Sequence, residues 1–419
     1  MSISNAHPHT QAPSQSFWGF VCLMGMVFSL SPLAIDMYLP ALPQMADFYQ
    51  TKIDAMEASV AIFLLSFALG QLIFGSLADN LNKNRLLSMG LLGFALASVG
   101  VALSDNLTQL YSARALQGFL GGTSVVVFAL IQQTYGQQKS SQIISYIMAV
   151  VVVAPMVAPM IGSQILIYLG WQWIFFSLGF FAFITLFTQL FLNAQTANKP
   201  SINNNTPLHF NQLLKGYKSV LSNPLTLSYM FAGAASFAGL FAFVSGSPFV
   251  YMRFYEISPQ GYSLLVGLNA VAMISTNLMN ARLLNHLDAT LKLVWAGIGL
   301  GLIALYLFIV SSLALPLPYL VVGVVLYVAM LGFTSANAIA GVLASAGPYA
   351  GLASGINGVM QFGLGALASA AISVSDSINS IPMSYTMAIS GLISMVFSLA
   401  LIKQVKNQKR LNLKEVMTK

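Results

Sequence analysis

Apolar residues run through this chain in unbroken blocks of about twenty, separated by short breaks rich in Gly, Pro, Asn, Ser and charged side chains. A helix rises ~1.5 Å per residue, so each block is long enough to cross ~30 Å of hydrocarbon. Twelve such blocks are readable, at about 17–41, 56–78, 86–104, 109–135, 142–168, 173–192, 225–250, 260–283, 291–311, 318–340, 351–373 and 384–402. A membrane β-barrel would instead alternate in segments of roughly ten residues. The pattern therefore predicts an all-α membrane protein with twelve spanning helices.

Composition agrees. Charged residues are 6% of the chain, against roughly 25% in a soluble domain, and apolar residues are 57%, with mean hydropathy +0.78. With the N-terminus inside, fourteen Lys and Arg fall in cytoplasmic segments and only Lys52 and Arg253 in outer loops; the seventeenth cation, Arg114, lies within the fourth span. The positive-inside rule then puts both ends in the cytoplasm. The net charge of +7 reflects this topology, and no nucleic-acid partner is implied. No small-residue cleavage site closes the first apolar run, so it is expected to stay in the mature protein. The single cysteine, Cys22, excludes an intrachain disulfide.

The longest break divides the chain into an N-terminal six-span unit (1–192), a linker (193–223) and a C-terminal six-span unit (224–419). The linker opens on the Asn/Ser/Thr/Pro-rich run QTANKPSINNNTP, a flexible tether by composition. It continues with Phe210, Leu213, Leu214, Tyr217, Val220 and Leu221 at helical spacing, which predicts an amphipathic helix on the cytoplasmic surface. Basic and acidic turns after spans two and eight, GSLADNLNKNRLL and MNARLLNHLDATLKL, occupy equivalent places in the two units and suggest duplicated halves.

Candidate chemistry starts at Asp36, which follows about nineteen mostly apolar residues; a charge at such depth costs at least ~2.5 kcal/mol on insertion scales. Other apolar blocks carry acids only near their ends. Arg114 lies ~12 Å down the fourth span, so the two charges can share a depth. Burial disfavours an ionised carboxyl and a nearby guanidinium favours it, so their separation decides whether Asp36 exchanges protons or forms a structural ion pair. Gln117 is one turn below Arg114, and Gly118 and Gly122 form a GxxxG that fits close helix packing.

Pro155 and Pro159 in the fifth span remove two helix hydrogen bonds, which fits either a plain kink or one that governs movement. Asp79, in the turn after span two, can pair with Lys83 and Arg85 or cap a helix, or the turn is simply solvated. Phe237, Phe241 and Ser245 form a stripe on the seventh span that reads as packing or as a ligand wall. Asn269, Asn337, Asn357 and Gln361 place amides inside spans eight, ten and eleven, where an unpaired amide is costly and is expected to face an interior cavity. All four histidines lie outside the spans and no G-x-x-x-x-G-K-[ST] occurs, so neither an intramembrane metal or haem site nor a P-loop ATPase is expected; no cofactor is required.

Together these motifs resemble the major facilitator superfamily, and within it the Bcr/CflA group of bacterial drug:proton antiporters, over almost the whole chain. The run PLAIDMYLPALP, with Asp36 and Tyr38, is similar to the group's first-span signature. GSLADNLNKNR, with Gly75 and Asp79, is similar to the superfamily loop motif, although Asn80 replaces the usual Arg and Asn82 the usual Gly. Asn tolerates the left-handed conformation, so the turn is expected to survive. LYSARALQGFLGG matches the fourth-span motif at Arg114 and Gly118, and Pro159 and Gly162 match the antiporter motif, where Ala154, Ala158 and Ser163 replace glycines. FAFVSGSPFVY and GLASGINGVMQFGLGA resemble the group's seventh and eleventh spans.

The resemblance implies two pseudo-symmetric six-helix bundles around a midplane cavity that opens alternately to either side, in a monomer. It implies export of small amphipathic, chloramphenicol- or bicyclomycin-like antibiotics in exchange for protons, with export of a metabolite such as an amino acid as the alternative. Proton coupling falls to Asp36 with Arg114. Substrate binding falls to Asp36, Tyr38, Arg114, Gln117, Tyr146, Phe237, Phe241, Asn269, Asn357 and Gln361. Gating falls to Gly75, Asp79, Lys83, Arg85, Pro155, Pro159 and Gly162. A membrane-embedded enzyme would need a catalytic constellation at membrane depth, and only Asp36 and Arg114 are there. With Asp36 as the sole carrier, one proton moves per cycle.

Overall fold

The computed structural model describes residues 17–78, 81–196, 210–282, 287–375 and 379–417. Helices account for nearly all of them: α1 (Phe17–Asp36), α2 (Leu42–Phe48), α3 (Ile53–Ala78), α4 (Lys83–Ala102), α5 (Leu107–Gly121), α6 (Val126–Leu169), α7 (Trp171–Thr196), α8 (Phe210–Leu221), α9 (Pro224–Pro248), α10 (Pro259–Arg282), α11 (Ala289–Ser312), α12 (Leu317–Ala346), α13 (Ala350–Ser373) and α14 (Ile381–Met417). Among the described residues eleven segments are long and apolar enough to span a bilayer, and a shorter apolar helix, Val157–Leu169, lies within the expected fifth span. Large apolar side chains such as Leu69, Phe180, Phe187, Trp295 and Leu302 stand exposed around the outside, far more than a soluble monomer leaves to water.

Two departures from the expected spans matter. The first span is not one helix. Its α-helical part stops at Asp36, closed by the bond of the Met37 amide to the Leu33 carbonyl, and Pro40, which has no N–H, does not let it resume. A 3₁₀ turn (Leu39–Ala41) and α2 complete the crossing, with Ala41 donating to the Tyr38 carbonyl at 2.8 Å. Spans four and five, by contrast, are not separated by a break: a short 3₁₀ turn (Gly122–Val125) follows α5, and α6 then runs on in helical conformation to Leu169. The polar stretch expected as a turn there holds no proline, so nothing in it forbids helical hydrogen bonding.

Small residues set the packing. A Cβ at Gly118 would strike the carbonyl of Phe63, and one at Gly122 would lie 2.6 Å from the backbone of Gln71, so the GxxxG is the seat on which α3 rests against the fourth span. In the second half Gly239 of α9 takes the phenol of Tyr327, and Gly341 of α12 takes the ring of Tyr229. Helices before the linker pack mainly on one another, as do those after it, and the two sets meet along α3 with α13 and α6 with α10. In the linker α8 is helical, with Lys215 and Lys218 exposed and Val220 buried. Gly216 abuts Tyr349 and Leu352, so this helix docks on the second bundle. Of the tether proposed before it, 195–207, the first two residues still belong to α7 and the rest lies outside the described residues.

Candidate functional site

Asp36 is 8% exposed and, among the described residues, has no hydrogen-bond or ion-pair partner. Neither bulk water nor lipid surrounds it. Gly162 of α6 sits directly on the carbonyl of Met37, the next residue, an approach that any Cβ would block. From the second bundle, Tyr262 of α10 lies within electrostatic range of both Asp36 and Tyr38, and its phenol meets Ser247 of α9 at 3.1 Å. Beside Tyr262, Ser263 donates to the carbonyl of Pro159 at 2.9 Å. The acid thus ends its helix in a crook formed by α6, α9 and α10, where the two bundles touch.

Arg114 is fully buried and does not pair with Asp36. Its Nη1 donates to the Ala34 carbonyl at 3.1 Å and to Gln117 Oε1 at 2.7 Å; Gln117 Nε2 donates to Ser98 Oγ at 2.8 Å, and Ser98 to the Phe94 carbonyl. The rings of Tyr38 and Phe63 each lie 4.4 Å from the guanidinium carbon, and Tyr38 reaches Ser59 at 3.2 Å. Nε and Nη2 find no hydrogen-bond partner among the described residues. This ladder ties α1, α3, α4 and α5 together. The structural ion pair weighed from sequence is absent, because the guanidinium is occupied by a backbone carbonyl, an amide and two aromatic faces.

Phe237 and Phe241 join Phe362 of α13 and Phe67 of α3 in one aromatic seam across the two bundles, with ring centres 4.6 Å apart for Phe67 and Phe362 and 5.8 Å for Phe241 and Phe362. The sequence stripe pointed to the first two; Phe67 and Phe362 carry no comparable signal. Asn269 and Asn357 are buried, with both amide atoms of Asn269 and the Oδ1 of Asn357 unpartnered. Gln361 is half-buried on the same helix as Asn357. Asn337 behaves otherwise: it donates to Asn280 Oδ1 at 3.0 Å and to the Phe333 carbonyl at 2.7 Å, so it faces another helix and no cavity.

Of the gating candidates, Asp79 lies outside the described residues, as do the side chains of Tyr146 and Pro155. A methyl at Gly75 would meet only Val125, at ordinary contact distance. Lys83 opens α4 and Arg85 is exposed. Asn82 does not adopt the left-handed conformation expected of it: at φ −63° it is the N-cap of α4, accepting from the amides of Asn84 at 3.1 Å and Arg85 at 3.2 Å. The sequence reading missed two charged residues. Arg253 pairs with Asp47 and donates to the Pro43 carbonyl at 3.1 Å, linking the outer ends of the two bundles. Glu57, assigned to a membrane edge, is 1% exposed.

Two bundles of spanning helices with buried polar side chains along their seam define a membrane transporter. The chain belongs to the Major Facilitator Superfamily, whose profile matches residues 24–370; this is a family of transporters, not of enzymes. It is similar to a bicyclomycin resistance protein homolog of Haemophilus influenzae, 27% identical over 90% of this chain and 94% of the relative. An uncharacterized MFS-type transporter of Bacillus subtilis is 29% identical over 91% and 95%. A chloramphenicol resistance protein of Pseudomonas aeruginosa is 28% identical over 61% of this chain and 60% of its own length. These names are consistent with the Bcr/CflA group. In fold it is similar to a bacterial homolog of the human lysosomal transporter Spinster, solved in an inward-facing, unoccupied conformation, with TM-score 0.66 and 16% identity over 96% of this chain and 99% of that one.

Proposed function

We propose that this protein is a proton-coupled antiporter of the bacterial inner membrane, with both termini in the cytoplasm, that exports small amphipathic antibiotics as a monomer. The observation that carries this reading is Asp36: a buried carboxyl at the junction of the bundles that no donor or cation among the described residues satisfies. Such a group gains and loses a proton without breaking a structural bond, and neutralising it lowers the cost of passing through a closed, dry intermediate. The names of the relatives support drug-like cargo.

In this scheme the six-span units 1–192 and 224–419 rock about the seam, joined by 193–223. Asp36 carries the proton and meets the substrate. Arg114, through Ala34, fixes the end of the helix that bears it, with Tyr38 and Gln117 holding the guanidinium. Phe237, Phe241, Asn269, Asn357, Gln361 and Tyr146 line the substrate path. Gly162, Pro159 and Pro155, with Gly75, Asp79, Lys83 and Arg85, shape the moving contacts. The test is a susceptibility screen of a drug-hypersensitive strain expressing the wild type beside Asp36→Asn. Protection by the wild type alone, at equal membrane abundance, is the expected result; equal protection by both removes Asp36 from the mechanism.

A further inference from the structure

Glu57 stands one turn into α3, at the end where a helix normally meets water, yet it is 1% exposed and neither carboxyl oxygen finds a hydrogen-bond donor among the described residues. The second bundle packs along this helix through α13. Gln71 faces Gly358 and Phe67 meets Phe362, which sets an antiparallel register between α3 and α13. Carried about ten residues outward, ~15 Å, that register brings Glu57 level with Ile372, itself 1% exposed.

Among the described residues no cation is in electrostatic range of the acid, and Arg253, at the outer end of the second bundle, is taken up by Asp47. Asp54, on the preceding turn, adds a like charge in electrostatic range. On α5, the Tyr111 phenol is committed to the Ala55 carbonyl at 2.8 Å, and Arg114 to Ala34, Gln117 and the two rings. Tyr38, nearest of the first-span groups, turns to Ser59. The partner helix α13 holds no ionisable side chain from Ala350 to Ser373, and α9 holds only Tyr229, near its opposite end. An ionised carboxylate without a partner is not compatible with such burial; a neutral acid is.

We propose that Glu57 is a second proton-binding site, distinct from Asp36, which takes a proton from the outer medium before α3 and α13 can close over it. When the outer ends part, water reaches the carboxyl and the proton returns to the medium it came from. Glu57 therefore carries no proton across the membrane; it makes outer closure depend on external acidity. The direction of that dependence rests on the antiport reading given above, in which the proton-loaded protein closes its outer side.

The test needs no substrate. Spin labels are placed at Leu103 and Leu313, exposed positions at the outer ends of the first and second bundles, in a Cys22→Ser background reconstituted in liposomes, and their separation is read by pulsed electron resonance in acid and alkaline media. The wild type is expected to gain a long-distance population several-fold on alkalinisation. Glu57→Gln, which keeps the shape and stays neutral, is expected to hold the short distance throughout, although Asp36 is still present in it. A pH response retained in Glu57→Gln, or absent from the wild type, overturns the assignment to Glu57. None of these outcomes touches the export assay that decides the role of Asp36.

Discussion

Arg114 donates through Nη1 to the backbone oxygen of Ala34, 3.1 Å away and two residues before the acid at the helix end. The buried cation therefore acts on the backbone that presents Asp36 and, in the antiport proposed above, leaves the carboxyl free to exchange its proton. A direct pair would hold the acid ionised and oppose that exchange.

Arg114→Lys keeps the charge and loses the planar fork. An ammonium cannot reach Ala34 and Gln117 while lying flat between Tyr38 and Phe63, and each desolvated cation–aromatic contact or charged hydrogen bond is worth about 2 kcal/mol. Export is expected to fall by at least ~10-fold, the ratio that a loss of 1.4 kcal/mol produces. The melting temperature in detergent should fall with it. Transport at wild-type rate by Arg114→Lys would show that charge alone suffices.

Gly162→Ala drives a methyl into the Met37 carbonyl, where only backbone can yield. Overpacking of this kind costs about 1–3 kcal/mol, and here it displaces the segment next to Asp36. Loss of export with protein still inserted is expected in a growth-protection assay. Ser163→Ala is the control: its hydroxyl bonds only the Met160 carbonyl of its own helix, and activity should be kept.

The buried amides divide into two kinds, and substitution should separate them. Asn337→Ala strips Asn280 of its donor and is expected to destabilise by about 1–3 kcal/mol. Asn269→Ala and Asn357→Ala remove groups with unpartnered amide atoms, so stability should hold while substrate affinity falls. Thermal denaturation and substrate titration on the same purified variants check both halves of the statement.

The outer link between Arg253 and Asp47 is exposed, and such pairs contribute only about 0–1 kcal/mol to stability. That is still enough to shift a balanced two-state equilibrium several-fold. Arg253→Gln is therefore expected to leave the melting temperature unchanged and to raise the labelling rate of a cysteine at the buried outer position Ile372. An unchanged rate would mean that the ion pair does not hold the outer side shut.

Much of this was legible in the residue order, for physical reasons. Apolar length gave the spans, and Gly118 with Gly122 gave the close approach of two helices, because each depends on local chemistry. Asp36 was legible because a carboxyl after nineteen apolar residues is anomalous by itself. Glu57 was not: it is buried only once the helices are packed, and sequence offers only its nearness to a block's end. Likewise Arg114 and Asp36 match in depth along their helices, but the rotation that turns the guanidinium to Ala34 is set by packing. Pro40 was in plain sight in PLAIDMYLPALP, but that α1 stops four residues before it, with the acid as its last residue, was not.

The central claim is that Asp36 carries the proton. Inside-out membrane vesicles holding equal amounts of wild type or Asp36→Asn are acidified internally and followed with a pH-sensitive dye while a compound from the susceptibility screen is added. The account predicts prompt alkalinisation of the interior with the wild type and none above background with Asp36→Asn. Equal alkalinisation by the two proteins would contradict it.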